Sequence, residues 1–381
     1  MLNVILTGSL AFVITFLAIP AIMRVAEEKK LFDLPDSRKL HTTPIASLGG
    51  VGIFLGLFLS SLLTITTNQN AEIKFVFASG MVVFFLGLKD DILVISALKK
   101  FLGQIAAAAI LVHLAGIRIE SMHGILGLGT LPEPISYLIS YATIIVIVNA
   151  YNLIDGVDGL AGSLGLMTTA LFGIYFFAAN MPAYSLMAFA MAGSLLAFLV
   201  FNFNPAKIFM GDSGSLLLGL VNAILVIKFI AVADAPGAQI PVASTVAVAV
   251  SILIVPLLDT LRVFSIRLAK GRSPFIPDRN HIHHLLLDRG LNHRYVTVTC
   301  VGLNAGFIVM AYFGRELGSN LLLILMVAAS AAFVGMLMLV KKPASTLVIS
   351  SSFQHLNSEP VIQSTGTKIV SITNDAAVAE Q

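Results

Sequence analysis

Long apolar runs separated by short polar stretches recur along the chain from residue 3 to residue 340. A helix needs roughly 20 mostly apolar residues to cross a bilayer. That rule predicts eleven spans, at 3–24, 46–66, 73–89, 100–117, 135–150, 160–180, 184–202, 213–233, 242–262, 297–314 and 320–340. The fold expected is therefore all-α and polytopic, with a transmembrane catalytic domain over 1–342. From 343 on the chain is rich in Ser, Thr and Asn with little apolar mass, so 343–381 is expected to be a disordered cytoplasmic tail.

Composition agrees with a membrane chain. Of 381 residues, 57% are hydrophobic and 11% charged, against about 25% charged in soluble domains. The net charge of +3 gives no footprint for nucleic acid. The lone Cys300 excludes a disulfide framework and a thiolate metal cluster. The first apolar run has no basic residue before it and no small-residue cleavage pattern after it, so it reads as a retained helix.

Lys and Arg set the orientation. With the N-terminus outside and the C-terminus inside, only Lys74, Arg118 and Arg315 fall in outer loops, and Lys228 lies within a span. The polar motifs then gather on the cytoplasmic face. The longest outer loop, 118–134, is short enough to fold as a small hairpin.

Four constellations share that inner face. Asp90 and Asp91 end the third span, where two carboxylates oppose the helix dipole unless a cation stands by. Lys89 and a divalent metal are both candidates, and a solvated helix end is the plain reading. The stretch NAYNLIDGVDGLAGS (149–163) holds Asn149, Asn152, Asp155 and Asp158 with no Lys or Arg. A solvated turn would mix signs. In FNFNPAKIFMGDSGSLLLG (201–219), Asp212 or Ser213 is placed to cap the eighth span, and a helix N-terminus also favours phosphate. In GRSPFIPDRNHIHHLL (271–286), the His-x-His-His run reads as phosphate-binding, zinc-binding or a surface cluster. Arg272 and Arg279 beside it favour phosphate oxygens. Carboxylates and amides suit Mg²⁺, and Arg with His suits a pyrophosphate. Together they are the machinery of phosphoryl transfer, and their place at the membrane boundary implies a lipid reactant.

Five ordered stretches, DSRKLHTTPIASLGG, DDILV, NAYNLIDGVDGLAGS, NPAKIFMGDSGSLLLG and DRNHIHH, resemble the motifs of the polyprenyl-phosphate N-acetylhexosamine-1-phosphate transferases, over about residues 1 to 340. Within that superfamily the His-x-His-His form favours the branch that transfers GlcNAc-1-phosphate to undecaprenyl phosphate over the pentapeptide branch. The resemblance implies an Mg²⁺-dependent transferase, with Mn²⁺ as the alternative ion. It implies UDP-GlcNAc as donor and a multi-pass enzyme of the bacterial inner membrane that starts a cell-envelope polysaccharide. Another UDP-N-acetylhexosamine or UDP-MurNAc-pentapeptide stays open as donor, and a homodimer as assembly.

The same resemblance implies roles. Asp90 would be the base toward the lipid phosphate and Asp91 a catalytic and metal-site residue. Asp212 would bind the metal with Asn152 nearby. Asp155, Asp158, Phe209, Asn202 and Lys39 would hold the nucleotide, Phe209 by stacking on uracil. Arg272, Arg279, His281, His283 and His284 would hold the pyrophosphate or sugar. The family pattern often carries a third Asp where this chain has Val94. The rival class is a divalent-cation transporter. It is disfavoured because the acids cluster at one mouth and are nearly absent at mid-depth.

Overall fold

The computed structural model describes residues 1–31, 45–65, 71–269, 271 and 281–339. Lys39, Arg272, Arg279 and the tail 343–381 lie outside the described residues. Among those described, the regular elements are all helical. Strand-like pairing among the described residues is limited to two isolated bridges, Ala46 with Ile208 and Ser121 with Thr130.

Thirteen α-helices are present among the described residues. They are α1 (Leu2–Lys29), α2 (Gly49–Thr64), α3 (Ile73–Ile92), α4 (Ala97–Ala109, prolonged by a wider turn over Ile110–Leu114), α5 (Glu133–Ile154), α6 (Leu160–Ala178) and α7 (Pro182–Asn202). There follow α8 (Gly211–Ala233), α9 (Thr245–Ile252), α10 (Ile254–Ala269), the short α11 (Ile282–Leu287), α12 (His293–Gly314) and α13 (Ser319–Leu339). Starts follow local chemistry. Pro134 and Pro182 stand in the first turns of α5 and α7, where a missing N–H costs nothing. Asn292 caps α12 by accepting the Tyr295 N–H at 3.0 Å.

Each predicted span finds helix, but they are not eleven alike. Among the described residues eight helices are long and apolar enough to cross a membrane, and α9 with α10 makes a ninth only as a pair bent by 83°. α2 has 16 residues, and α3 ends on Lys89, Asp90 and Asp91. The predicted straight span over 242–262 is the clearest correction. Pro256 has no N–H and its ring would strike the Ile252 carbonyl if the helix ran on. The chain breaks at Leu253 instead, and Asn304 of α12 splints the break. Its Nδ2 donates to Ile252 O at 3.0 Å, and its Oδ1 accepts from Val255 N at 3.1 Å. Asn304 is fully buried. Irregular backbone among apolar helices persists only where its polar groups are satisfied internally.

The core centres on α8, which is buried along nearly its whole length and packs against α2, α3, α5, α6 and α9. Buried polar side chains lace it to its neighbours. Tyr151 Oη and Thr168 Oγ1 lie 3.0 Å apart, and Thr168 donates to Asn222 Oδ1 at 2.7 Å. α5, α6 and α8 are thereby joined where no water competes.

The connecting loops sort to two ends. At one end residues 119–131 form the expected hairpin, with Met122 N donating to Gly129 O and Leu131 N to Glu120 O. His123 pairs there with Asp234, and Asn320 of α13 clasps Leu126 and Gly124. At the other end lie the motifs.

Candidate active site

The ends of α3, α4, α5 and α8 meet at the motif end, and Lys100 stands at the centre. Its Nζ lies 3.1 Å from Asp90 Oδ2, in close contact with Asp212 Oδ2 and 3.4 Å from Asn152 Oδ1. Asn152 donates in turn to Asp212 Oδ1 at 2.7 Å and to Ser215 Oγ at 2.9 Å. The structure thus brings Asp90, Asn152 and Asp212 together as the sequence implies, around a lysine that sequence reading counted only toward orientation. The one signal available was its single helical turn of distance from Ser96, at the start of α4.

Asp91 has a different first task from the one expected. Its Oδ1 accepts the Asp212 N–H at 2.6 Å and its Oδ2 the Ser213 N–H at 3.0 Å. Neither Asp212 nor Ser213 caps α8. The cap comes from α3, and it turns the negative Asp91 toward the positive end of the α8 dipole. The fit requires bare backbone. A Cβ on Gly87 would lie 2.5 Å from the Asp212 carbonyl carbon, and Gly211 has φ +72° with Asp91 oxygens 2.8 Å from where its Cβ would be.

Asp90 Oδ1 accepts the Ile95 N–H at 2.8 Å, closing the turn after α3. Asn149 pairs amide to amide with Gln104 of α4, at 2.8 and 3.3 Å. That reciprocal pair fixes α4 against α5 and so sets where Lys100 stands.

The remainder of NAYNLIDGVDG divides. Asp155 follows the last turn of α5 and is partly exposed. Burial of its surroundings, then the charges of Asp212, Asp91 and Asp158, push its carboxyl up to about 8. Among the described residues nothing donates to it. Asp158 is buried and its side chain serves the protein. Oδ2 accepts from Asn204 Nδ2 at 2.9 Å and from Ala206 N at 3.1 Å, and Oδ1 lies 3.1 Å from His293 Nδ1. Burial works to raise its pKa, but the His293 and Asn204 contacts outweigh it and hold the carboxyl below the usual range. Asn202 likewise uses both ends of its amide on backbone, accepting from Gly159 N at 2.9 Å and donating to Ile208 O at 2.8 Å. These two residues, expected to touch the nucleotide, shape the loop that would hold it.

That loop carries Phe209. Phe209 N donates to Ala46 O at 2.8 Å, and Gly49 N donates to Phe209 O at 2.9 Å. The end of the first motif is thereby clipped to the fourth, with the Phe209 ring partly exposed. In the last motif His281 and His283 are buried against Asp259 of α10, while His284 is partly exposed. Sequence reading missed Asp259, which sits inside an apolar run.

Acidic oxygens gathered about one ammonium at the ends of membrane helices mark an enzyme that works on charged groups at a bilayer surface. Residues 73–230 match the family model of glycosyl transferase family 4. The chain belongs to the polyprenyl-phosphate N-acetylhexosamine-1-phosphate transferases of that family. The decaprenyl-phosphate N-acetylglucosaminephosphotransferase of Mycobacterium tuberculosis is 36% identical, over 77% of this chain and 78% of its own length. The undecaprenyl-phosphate alpha-N-acetylglucosaminyl 1-phosphate transferase of Yersinia pestis is 30% identical, over 77% and 80%. Its namesake in Escherichia coli K12 is 28% identical, over 84% and 86%.

Proposed function

We propose that the protein transfers GlcNAc-1-phosphate from UDP-GlcNAc to undecaprenyl phosphate, on the cytoplasmic face of a bacterial inner membrane. The products are undecaprenyl-pyrophosphate-GlcNAc and UMP. The observation that carries the proposal is the convergence of Asp90, Asp212 and Asn152 on the Lys100 ammonium. A cation held only by side chains is one that an incoming pyrophosphate can recruit. As Lys100 turns to the donor phosphates, oxygens of Asp90 and Asp212 are released. Asp90 takes the lipid phosphate proton, and the phosphate oxygen attacks the β-phosphorus while the bond to UMP breaks.

The released oxygens suit a hard divalent ion, and the set already gathers around a positive charge. Asp212, Asn152 and Asp155 would hold Mg²⁺, with Mn²⁺ as substitute. When bound, such an ion offsets charge on the transferring phosphoryl oxygens. Phe209 would stack on uracil, and His284 with Arg272 and Arg279 would meet the pyrophosphate or sugar. An apolar cavity of about 300 Å³ runs from Ser121 and Met122 of the hairpin past Val146 and Ile230 to Leu257, and would take part of a polyprenyl chain whose phosphate reaches the motif end.

The test is label transfer by purified protein with undecaprenyl or decaprenyl phosphate, Mg²⁺ and a panel of UDP-sugars. The expected result is lipid-linked label and UMP only with UDP-GlcNAc, and faster turnover with undecaprenyl phosphate. Preference for the decaprenyl acceptor would move this chain to the acceptor named for the mycobacterial relative. Flux of Mg²⁺ into proteoliposomes without UMP release would sink the proposal.

A further inference from the structure

The mechanism above makes no use of Asp259, although it is 1% exposed and charged. Its Oδ2 lies 3.0 Å from His281 Nδ1 and 3.4 Å from His283 Nδ1. Its Oδ1 accepts the Ile282 N–H at 2.6 Å. The two rings lie nearly parallel, 5.3 Å and 15° apart. A carboxylate this deep is tolerated only when donors surround it. With one backbone N–H on Oδ1, the rest of the demand falls on the two imidazoles. A bare Nδ1 would turn a lone pair toward the oxygen, so each ring carries hydrogen at Nδ1, hydrogen-bonded on His281 and, on His283, buried within 3.4 Å of the same oxygen without an aligned hydrogen bond. The bond at one ring nitrogen fixes the role of the other. Nε2 becomes the working atom of each ring. On His283 it faces the acidic turn, since a Cβ on Gly156 would lie only 3.1 Å from it. Gly156 directly follows Asp155 and lies two residues before Asp158.

We infer that Asp259 is a positioning residue that clamps His281 and His283 by Nδ1, seating His283 Nε2 on the Asp155–Asp158 turn so that histidine loop and acidic turn form one wall of the donor cleft. The inference rests on the transferase reading for its effect on turnover, but not for its geometry. The same three groups lie close enough to share a metal ion. In that case the imidazoles would offer lone pairs at Nδ1, which makes the two arrangements distinguishable.

The experiment uses full-length protein labelled with ¹⁵N at histidine, ring-nitrogen NMR, metal analysis and steady-state kinetics. Among the eight histidines of the wild type, the protonated Nδ1 signals should include His281 and His283, assigned by single His→Gln variants and so separated from His123 and His293, whose Nδ1 atoms also face carboxylates. No stoichiometric zinc should be present. Asp259→Ala should lose both signatures and lower kcat about 10- to 100-fold, as loss of a supporting partner does, with KM for UDP-GlcNAc nearly unchanged. Asp259→Asn should recover part of that loss, because its amide oxygen still accepts one hydrogen bond. Gly156→Ala pushes on the His283 ring without touching the carboxylate. It should lower kcat several-fold with both Nδ1 signals intact. Bare Nδ1 on either ring, one zinc per chain, or a fall in Asp259→Ala turnover that only tracks loss of folded protein would overturn the inference. Absence of transferase activity in wild type, with the ring signatures present, would count against the proposed reaction and leave the clamp standing.

Discussion

Asp91 accepts the backbone N–H of Asp212 at 2.6 Å across the contact of α3 with α8. The residue at the end of one helix thus starts another, and the proposed metal-binding side chain sits on the residue so held. Removing the cap should cost about 1 kcal/mol of stability, within the usual range for N-caps, and should shift Asp212 as well. Asp91→Ala is expected to lower melting temperature and turnover together. Asp212→Asn should cost orders of magnitude in turnover with melting temperature kept. Equal melting temperatures for Asp91→Ala and wild type would rule out the capping role.

Lys100 should be as sensitive as the acids it joins. Lys100→Met leaves Asp90 and Asp212 facing one another without a counter-charge, and removes the cation offered to the donor. A loss of at least about 100-fold in kcat/KM is expected, on the scale seen when one charge-stabilising donor is removed. Lys100→Arg should not restore it, because a planar fork cannot occupy a point among three converging groups. Near-normal kinetics in either variant would show the lysine to be a bystander.

Asp155 gives a pH dependence of known sign. Its carboxyl titrates near 8 in the folded protein and about 3.9 when unfolded. Between those values the folded state binds more protons, so stability falls as pH rises through that window. In buffer free of divalent ions, melting temperature should decline from pH 6 to pH 9. Asp155→Asn should flatten that decline, and added Mg²⁺ should raise the wild-type value most at the alkaline end. A pH profile unchanged by Asp155→Asn would refute the assignment.

Asn304 should matter without touching substrate. Asn304→Leu leaves Ile252 O and Val255 N without their partner, at roughly 1 to 3 kcal/mol for each buried group. Lower thermal stability is expected, with protease sensitivity appearing first at the α9–α10 break. A variant as stable as wild type would show that the break closes some other way.

Much of the architecture was legible because a bilayer imposes its own period. Each apolar run expected to span contains helix among the described residues, though only eight helices and one bent pair are long and apolar enough to cross, and the 119–131 hairpin follows from a short loop with glycines at its turn. The break at Leu253 was written in Pro256 but masked by the apolar residues on both sides. Over 149–163, acids and amides announced themselves by the lack of any Lys or Arg among them. What they did was not legible. Asp158 and Asn202 have the chemistry of ligands, yet they spend it on loop backbone, Asn204 and His293, and apart from the Asn202 bond to Ile208 O these contacts span 43 to 135 residues of sequence. Lys100 read as one more positive flank. Asp259 went unread inside an apolar segment, because its partners lie more than twenty residues on.

The 83° break also decides where the histidines stand relative to the acidic turn. Had α9 and α10 formed one rod, residues 254–269 would have continued along its axis and carried Asp259 with them. Turned aside, α10 becomes a lateral arm, and the histidines anchored to it are held at the level of the Asp155 turn. In the proposed reaction, the height of the histidines against the acidic turn would thus depend on a side-chain amide in another helix, Asn304, which stands apart from both.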